Sequence, residues 1–199
     1  MFSVPISEFS SVGDSEAEGV DDNSLVRAAQ DDPTAFALLY HRYLDRIYAY
    51  LRARTATDED AADFTQQVFL QALDSLPWYR GAHDDSFAAW VFRIARNIVT
   101  DAYRRRRTTV TWDLVPEALQ PATKHNLDDH ILRREARQRY RALFEALDPA
   151  ARELLVLRFV ARLPIADIAR VIGKSEAATQ KKLFRLVQTL KEQYHADAR

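Results

Sequence analysis

FAAWVFRIARNIVTDAYRRRR, residues 87–107, reads as one amphipathic helix. At about 100° per residue, Phe87, Val91, Ile94 and Ile98 share a narrow arc, flanked by Trp90, Ala95 and Ala102. Arg93, Arg96, Thr100, Tyr103, Arg104 and Arg107 fall on the opposite arc. A helix with an aromatic, aliphatic dry face and a row of guanidiniums outside is suited to lie along a phosphate backbone. The plain alternative is a solvated charged face. The choice between them turns on the rest of the chain.

Working outward, the same helical punctuation recurs on both sides. Ser24 is placed to cap a short helix through Gln30. Asp32-Pro33 is a cap followed by an N1 proline, which opens a helix to about Arg54. Asp58 is expected to cap a third helix that runs to Leu76, where Pro77 stops it. A loop from Trp78 to Asp85 leads into the arginine-faced helix. Further on, a helix is expected from Asp129 to Leu147, and Asp148-Pro149 opens another to Ala161. Between them, residues 108–128 carry two prolines and lose the helical period, as a flexible linker does. Residues 1–23 are polar, acidic and aperiodic, which predicts a disordered tail. The fold class is therefore all-α: two small helical domains, 24–107 and 129–199, joined by a flexible linker.

Leu163–Leu190, LPIADIARVIGKSEAATQKKLFRLVQTL, has a helix-turn-helix plan. Pro164 starts a two-turn helix with Ile165, Ile168, Ala169 and Ile172 inward; Gly173 supplies the turn and Ser175 the next N-cap. On the second helix Thr179, Leu183, Leu186, Val187 and Leu190 cluster inward, leaving Ala177, Lys181, Phe184, Arg185 and Gln188 outside. A phenylalanine on an outer, basic arc needs something to touch, and a thymine methyl in a major groove is one candidate. This second element tips the first arginine face toward DNA as well.

Charge supports the same division. The net charge of −1 hides a strong segregation: six acids and no base in residues 1–24, but six arginines against one aspartate in 93–107. A stand-alone DNA binder tends to be basic as a whole, so two cationic surfaces on a near-neutral chain point to DNA contact made with help from another protein. The absence of cysteine removes thiolate nucleophiles and Cys-based zinc sites. The five histidines (41, 83, 125, 130, 195) are scattered, and Asp58, Glu59, Asp60 and Asp63 suit a helix N-terminus without any catalytic role. No enzyme, metal site, cofactor or small-molecule substrate is expected. No apolar run reaches the roughly 18 residues of a membrane span, and no base precedes Arg27 as a secretory start requires. No membrane insertion is expected, and the location should be the cytoplasm.

The strings LLYHRYLDRIYAYL (38–51), DFTQQVFLQAL (63–73), the 87–107 helix and LDPAARELLVLRFVARLPIADIARVIG (147–173), in this order, resemble a bacterial extracytoplasmic-function (ECF) sigma factor. The resemblance implies a region 2-like domain over 24–107, a region 4-like domain over 129–199, and a subunit of RNA polymerase that recognises promoters. Asp63, Gln66, Gln67 and Phe69 would meet the β′ clamp helices of the core enzyme, core packing being the equal alternative for Phe69, and the 129–199 domain its β flap. Arg80, Trp90, Arg93, Asn97, Arg104 and Arg105 would contact the −10 element, with the loop Arg80 to Ser86 holding a flipped base. Trp78, Tyr79 and Phe87 are candidates to stack on that base, although Phe87 fits the interior better. Gln180, Lys181, Phe184 and Arg185 would read the −35 element. Many relatives are held by an anti-sigma factor, and the linker and acidic tail are candidates to mimic nucleic acid or brake Arg96 or Arg104. The chain departs from the family at Ala178-Thr179 and at Gln180, where a basic residue is common, so its −35 preference is its own. The alternative is a stand-alone helix-turn-helix transcription regulator, which leaves the 63–73 and 87–107 helices without work.

Overall fold

Seven α-helices are bounded in the computed structural model, which describes residues 21–81, 86–106 and 142–196; residues 142–145 are also helical. The seven are α1 (Asp22–Asp31), α2 (Phe36–Arg52), α3 (Asp58–Ser75), α4 (Phe87–Arg106), α5 (Pro149–Leu155), α6 (Ile165–Ile172) and α7 (Glu176–Ala196). Residues 1–20 of the expected tail, the linker and most of the 129–147 helix lie outside the described residues; Asp22 and Asn23, read as the end of the tail, instead open α1, whose cap position is Asp21 and not Ser24.

Local chemistry sets the boundaries. Asp32 does cap, accepting from the Thr34 amide at 2.9 Å, but Pro33–Ala35 first make a turn of 3-10 helix before α2 begins. The cap of α3 is Thr57, not Asp58: its hydroxyl accepts from the Asp60 amide at 3.0 Å, which leaves Asp58 in the first turn beside the positive end of the helix. Asp148 accepts from the Ala150 and Ala151 amides, both at 2.9 Å, and α5 starts as expected. It then widens into a turn of π-helix over Val156–Val160, and Arg162 at φ 54° with Pro164 behind it ends the run. Gly173 sits at φ 68°, and the amides of Lys174 and Gly173 return to the carbonyls of Ala169 and Arg170. That closure caps α6 and turns the chain into α7, where Ser175 caps through the Ala178 amide.

α1–α4 pack around Leu39, Ile47, Leu51, Val68, Phe87 and Val91, all with no exposed surface. The core does not stop there. Phe92 and Val99 of α4 are also fully buried. Tyr50 meets Phe92 edge to face at 5.5 Å, and Leu154, Leu155 and Leu157 continue the same apolar cluster. The two halves therefore pack together, chiefly through α4 on α6 and α2 on the π-turn. The sequence predicted one dry face on α4; in the structure both faces of its first three turns are dry. Seven of the nine residues from Phe87 to Ala95 are buried, as in a helix covered on all sides.

Candidate nucleic-acid interface

On α3 the 3.6-residue period separates two stripes. Ala61, Thr65, Val68, Phe69 and Ala72 are buried. Asp63, Gln66, Gln67 and Leu70 lie on the opposite side and are exposed. Phe69 therefore does not share a surface with the three polar residues it was grouped with. Its ring sits 4.6 Å from Tyr40 and 6.5 Å from Phe36, both edge to face, inside the bundle. The apolar member of the outward stripe is Leu70, 60% exposed, with Leu73 next to it and Leu38 exposed on α2.

The loop before α4 begins at an exposed turn. Trp78 closes a 3-10 turn and is 81% exposed, whereas Tyr79 folds back onto Trp90 at 4.7 Å and onto Phe87 at 6.2 Å. Gln30 fastens this turn, its amide donating to the carbonyls of Leu76 and Tyr79 at 2.9 and 2.7 Å. Of the three aromatics considered for stacking, only Trp78 presents its face to solvent. Arg80 is exposed, Asn97 and Arg104 are exposed, and Trp90 and Arg93 are half-buried. For Arg105 only the helical backbone is described. Tyr103, placed on the wet arc, turns its hydroxyl inward to donate to the Arg54 carbonyl at 2.6 Å. Burial raises the hydroxyl above its ordinary range, so it stays protonated as that bond requires.

α7 is the clearest match between sequence and structure. Thr179, Leu183 and Leu190 are buried, while Gln180, Lys181, Phe184 and Arg185 are all exposed on the outer side. Phe184 is 54% exposed, a large apolar ring between two cations. The Thr179 hydroxyl spends its hydrogen on the Ser175 carbonyl at 2.9 Å, so it anchors the helix start and does not face outward.

The seam between the halves holds polar chemistry that the sequence did not flag. Glu153 on α5 is 6% exposed, accepts from the Tyr50 hydroxyl at 2.7 Å, pairs with Arg54, and has Arg96 at 3.8 Å. Asp167 on α6, also buried, accepts from the Ser86 hydroxyl at 2.6 Å and from Arg170 at 2.8 Å. Arg46 donates to the Ala161 carbonyl at 3.0 Å while lying over the rings of Tyr43 and Phe92. A cavity of about 460 Å³ lies along this seam, lined among others by Arg54, Arg96, Lys174 and Lys182, with Glu153 the one acid among the described residues that line it. Among the described residues there is no group of three or more acids or histidines placed to hold a metal, and no helix long and apolar enough to cross a membrane.

Comparison with known proteins follows these divisions. Residues 39–109 match Sigma-70 region 2 and residues 137–190 match Sigma-70 region 4. The chain is 33% identical over 175 residues to the ECF RNA polymerase sigma factor BldN of Streptomyces coelicolor, a match covering 87% of this chain and 65% of that protein. The structure of CnrH in complex with the cytosolic domain of CnrY shares the fold, with a TM-score of 0.63 and 24% identity, covering 88% of this chain and 98% of that one. So does the sigma factor RpoE of Bartonella quintana in complex with the anti-sigma factor NepR, with a TM-score of 0.58 and 18% identity, over 81% and 98% of the two chains. With a region 2 bundle carrying the arginine-lined α4, a region 4 helix-turn-helix carrying α7, and relatives of the same order, the chain belongs to the sigma-70 family, in its ECF group.

Proposed function

We propose that this protein is an RNA polymerase sigma factor that directs promoter-specific initiation: it binds the core enzyme, opens the −10 element and reads the −35 element. The observation that carries this reading is the joining, in one chain, of an outward polar-apolar stripe on α3 to an outward basic-aromatic face on α7. The first has the make-up of a protein contact, an apolar anchor with a polar rim. The second has the make-up of a groove reader. A stand-alone regulator uses only the second.

In this reading Asp63, Gln66, Gln67 and Leu70 dock on the β′ clamp helices, Leu70 taking the place expected of Phe69. Arg80, Arg93, Asn97, Arg104 and Arg105 hold backbone around the −10 element, and Trp78 stacks on an extruded base. Trp90 acts from behind by fixing Tyr79. Gln180, Lys181, Phe184 and Arg185 enter the −35 major groove, and the 129–199 half also meets the β flap. The bond-making chemistry belongs to the polymerase, so the chain is no enzyme and needs no cofactor, and its place of work is the bacterial cytoplasm. An anti-sigma factor that covers the outward stripe of α3 would silence it.

The test is direct. Purified chain added to core polymerase on a supercoiled library of upstream regions should yield transcripts with defined 5′ ends that core alone does not give. A chain that binds DNA but never changes where core begins is a regulator of another kind.

A further inference from the structure

Four cations converge on the cavity at the seam, and one carboxylate answers them. Arg54, Arg96, Lys174 and Lys182 against Glu153 leave an excess of three positive charges among the described residues that line it. Arg54 is held in place by its own surroundings. Its guanidinium lies 5.7 Å from the Tyr50 ring and pairs with Glu153, while its carbonyl accepts from the Tyr103 hydroxyl at 2.6 Å. Glu153 has to serve Arg54, Arg96 and the Tyr50 hydroxyl at once, and it stands 3.8 Å from the Arg96 Nε, beyond hydrogen-bond reach. The Nε atoms of Arg54 and Arg96 are buried without a hydrogen bond among the described residues, so the protein does not saturate either guanidinium. Across the cavity, Lys174 follows the Gly173 turn, and Ala178 and Lys182 share one face of α7 at a spacing of four residues. Both lysines are exposed at its mouth.

We propose that this cavity binds a small molecule carrying two phosphoryl groups. Its volume, about 460 Å³, is that of a small-molecule site and leaves no room for a nucleic-acid duplex. Guanidiniums bind phosphoryl oxygens in pairs through their planar fork, and lysines bind them as point charges. Two phosphoryl groups, at about −1.5 to −2 each near pH 7, match the excess of three charges; one leaves the lining cationic. The rest of the wall is apolar, with Pro149, Ala150, Leu154 and Ile172. No aromatic ring is among the described residues that line it, so no stacking platform receives a nucleobase, and the ligand body is compact. Arg54 and Arg96 come from the α1–α4 half and the two lysines from the helix-turn-helix half, so neither half alone carries the site. Lys181 marks its edge. It is next to Lys182 in sequence and equally charged, but it points about 100° further round α7 and does not line the cavity.

Inorganic pyrophosphate is the probe, titrated calorimetrically into the full chain at fixed ionic strength. One saturable site per chain is expected, with inorganic phosphate weaker by about tenfold or more. Lys182→Gln and Arg96→Gln should each weaken pyrophosphate by about tenfold, with far-ultraviolet circular dichroism unchanged. Lys181→Gln should leave its affinity as in the parent. The comparison of positions 181 and 182 matters most, since both lysines are exposed and each substitution removes the same charge. Diffuse attraction of an anion to a basic helix predicts equal losses at the two, whereas a built site does not. Absence of saturable binding, equal losses at 181 and 182, no loss in Arg96→Gln, or phosphate held as tightly as pyrophosphate would each overturn the assignment. No outcome of this titration bears on the sigma-factor reading, which is tested with polymerase and promoter DNA.

Discussion

Truncating Phe69 and altering Leu70, neighbours on α3, should have opposite consequences. Phe69 is buried between Tyr40 and Phe36, and its replacement by alanine removes a ring from the bundle core. Such a change costs about 3–5 kcal/mol, a large share of the roughly 5–15 kcal/mol that holds a typical protein together. At about 2–4 °C per kcal/mol for a chain of this size, the melting temperature should fall by roughly 6–20 °C. Leu70 is 60% exposed, so Leu70→Asp should leave stability within about 0.5 kcal/mol. If Leu70 anchors the polymerase contact, the same substitution should weaken binding to core by about 2 kcal/mol or more, some 30-fold. The assay is thermal melting of both variants beside core-binding titration with the α3 stripe otherwise intact. A Phe69→Ala protein that melts like the parent yet fails to bind core, with Leu70→Asp binding normally, would refute the assignment and restore Phe69 as the anchor.

Other expectations concern DNA and the turn that presents α7. Phe184→Ala and Arg185→Ala should leave the melting temperature unchanged and cut −35 discrimination by about 1–3 kcal/mol, as measured by promoter competition. Arg93→Ala with Arg104→Ala should instead flatten the salt dependence of promoter binding, by a slope of about 0.9 per lost phosphate contact, with little change in sequence preference. Trp78→Ala should not affect folding, since the ring is exposed, but should reduce strand opening seen by permanganate footprinting, stacking being worth about 1–3 kcal/mol per base. Gly173→Ala meets nothing within 4 Å of the added carbon, so its cost is the left-handed backbone alone, roughly 1–2 kcal/mol. Thermal melting of the full chain reads that cost.

Much of the architecture was legible because it is local. Asp32-Pro33, Asp148-Pro149, Gly173 and Ser175 act on their own turns, and each does in the structure what short-range chemistry predicts. The outer face of α7 was legible for a related reason: one helix lying on one core exposes a fixed arc, so periodicity alone sorts Phe184 from Leu183. On α3 the sequence left Phe69 open between the polymerase contact and the core, and the structure buries its ring on the side away from Asp63, Gln66 and Gln67, since the helix turns about 100° at each step. Thr57 displaced Asp58 as a cap by one residue, a difference that depends on which side chain reaches the free amide.

Read from the chain alone, the protein was all-helical, with two cationic elements in a set order, because helix periodicity, capping and charge segregation are properties of neighbouring residues. Only the tertiary structure decided that α4 is dry on both sides, that Arg96 faces a carboxylate, and that Glu153 and Asp167 are buried. Those facts join residues 46 to 161, 50 to 153 and 86 to 167. No periodicity within a helix encodes which distant surface will cover it. That is settled by the packing of whole elements.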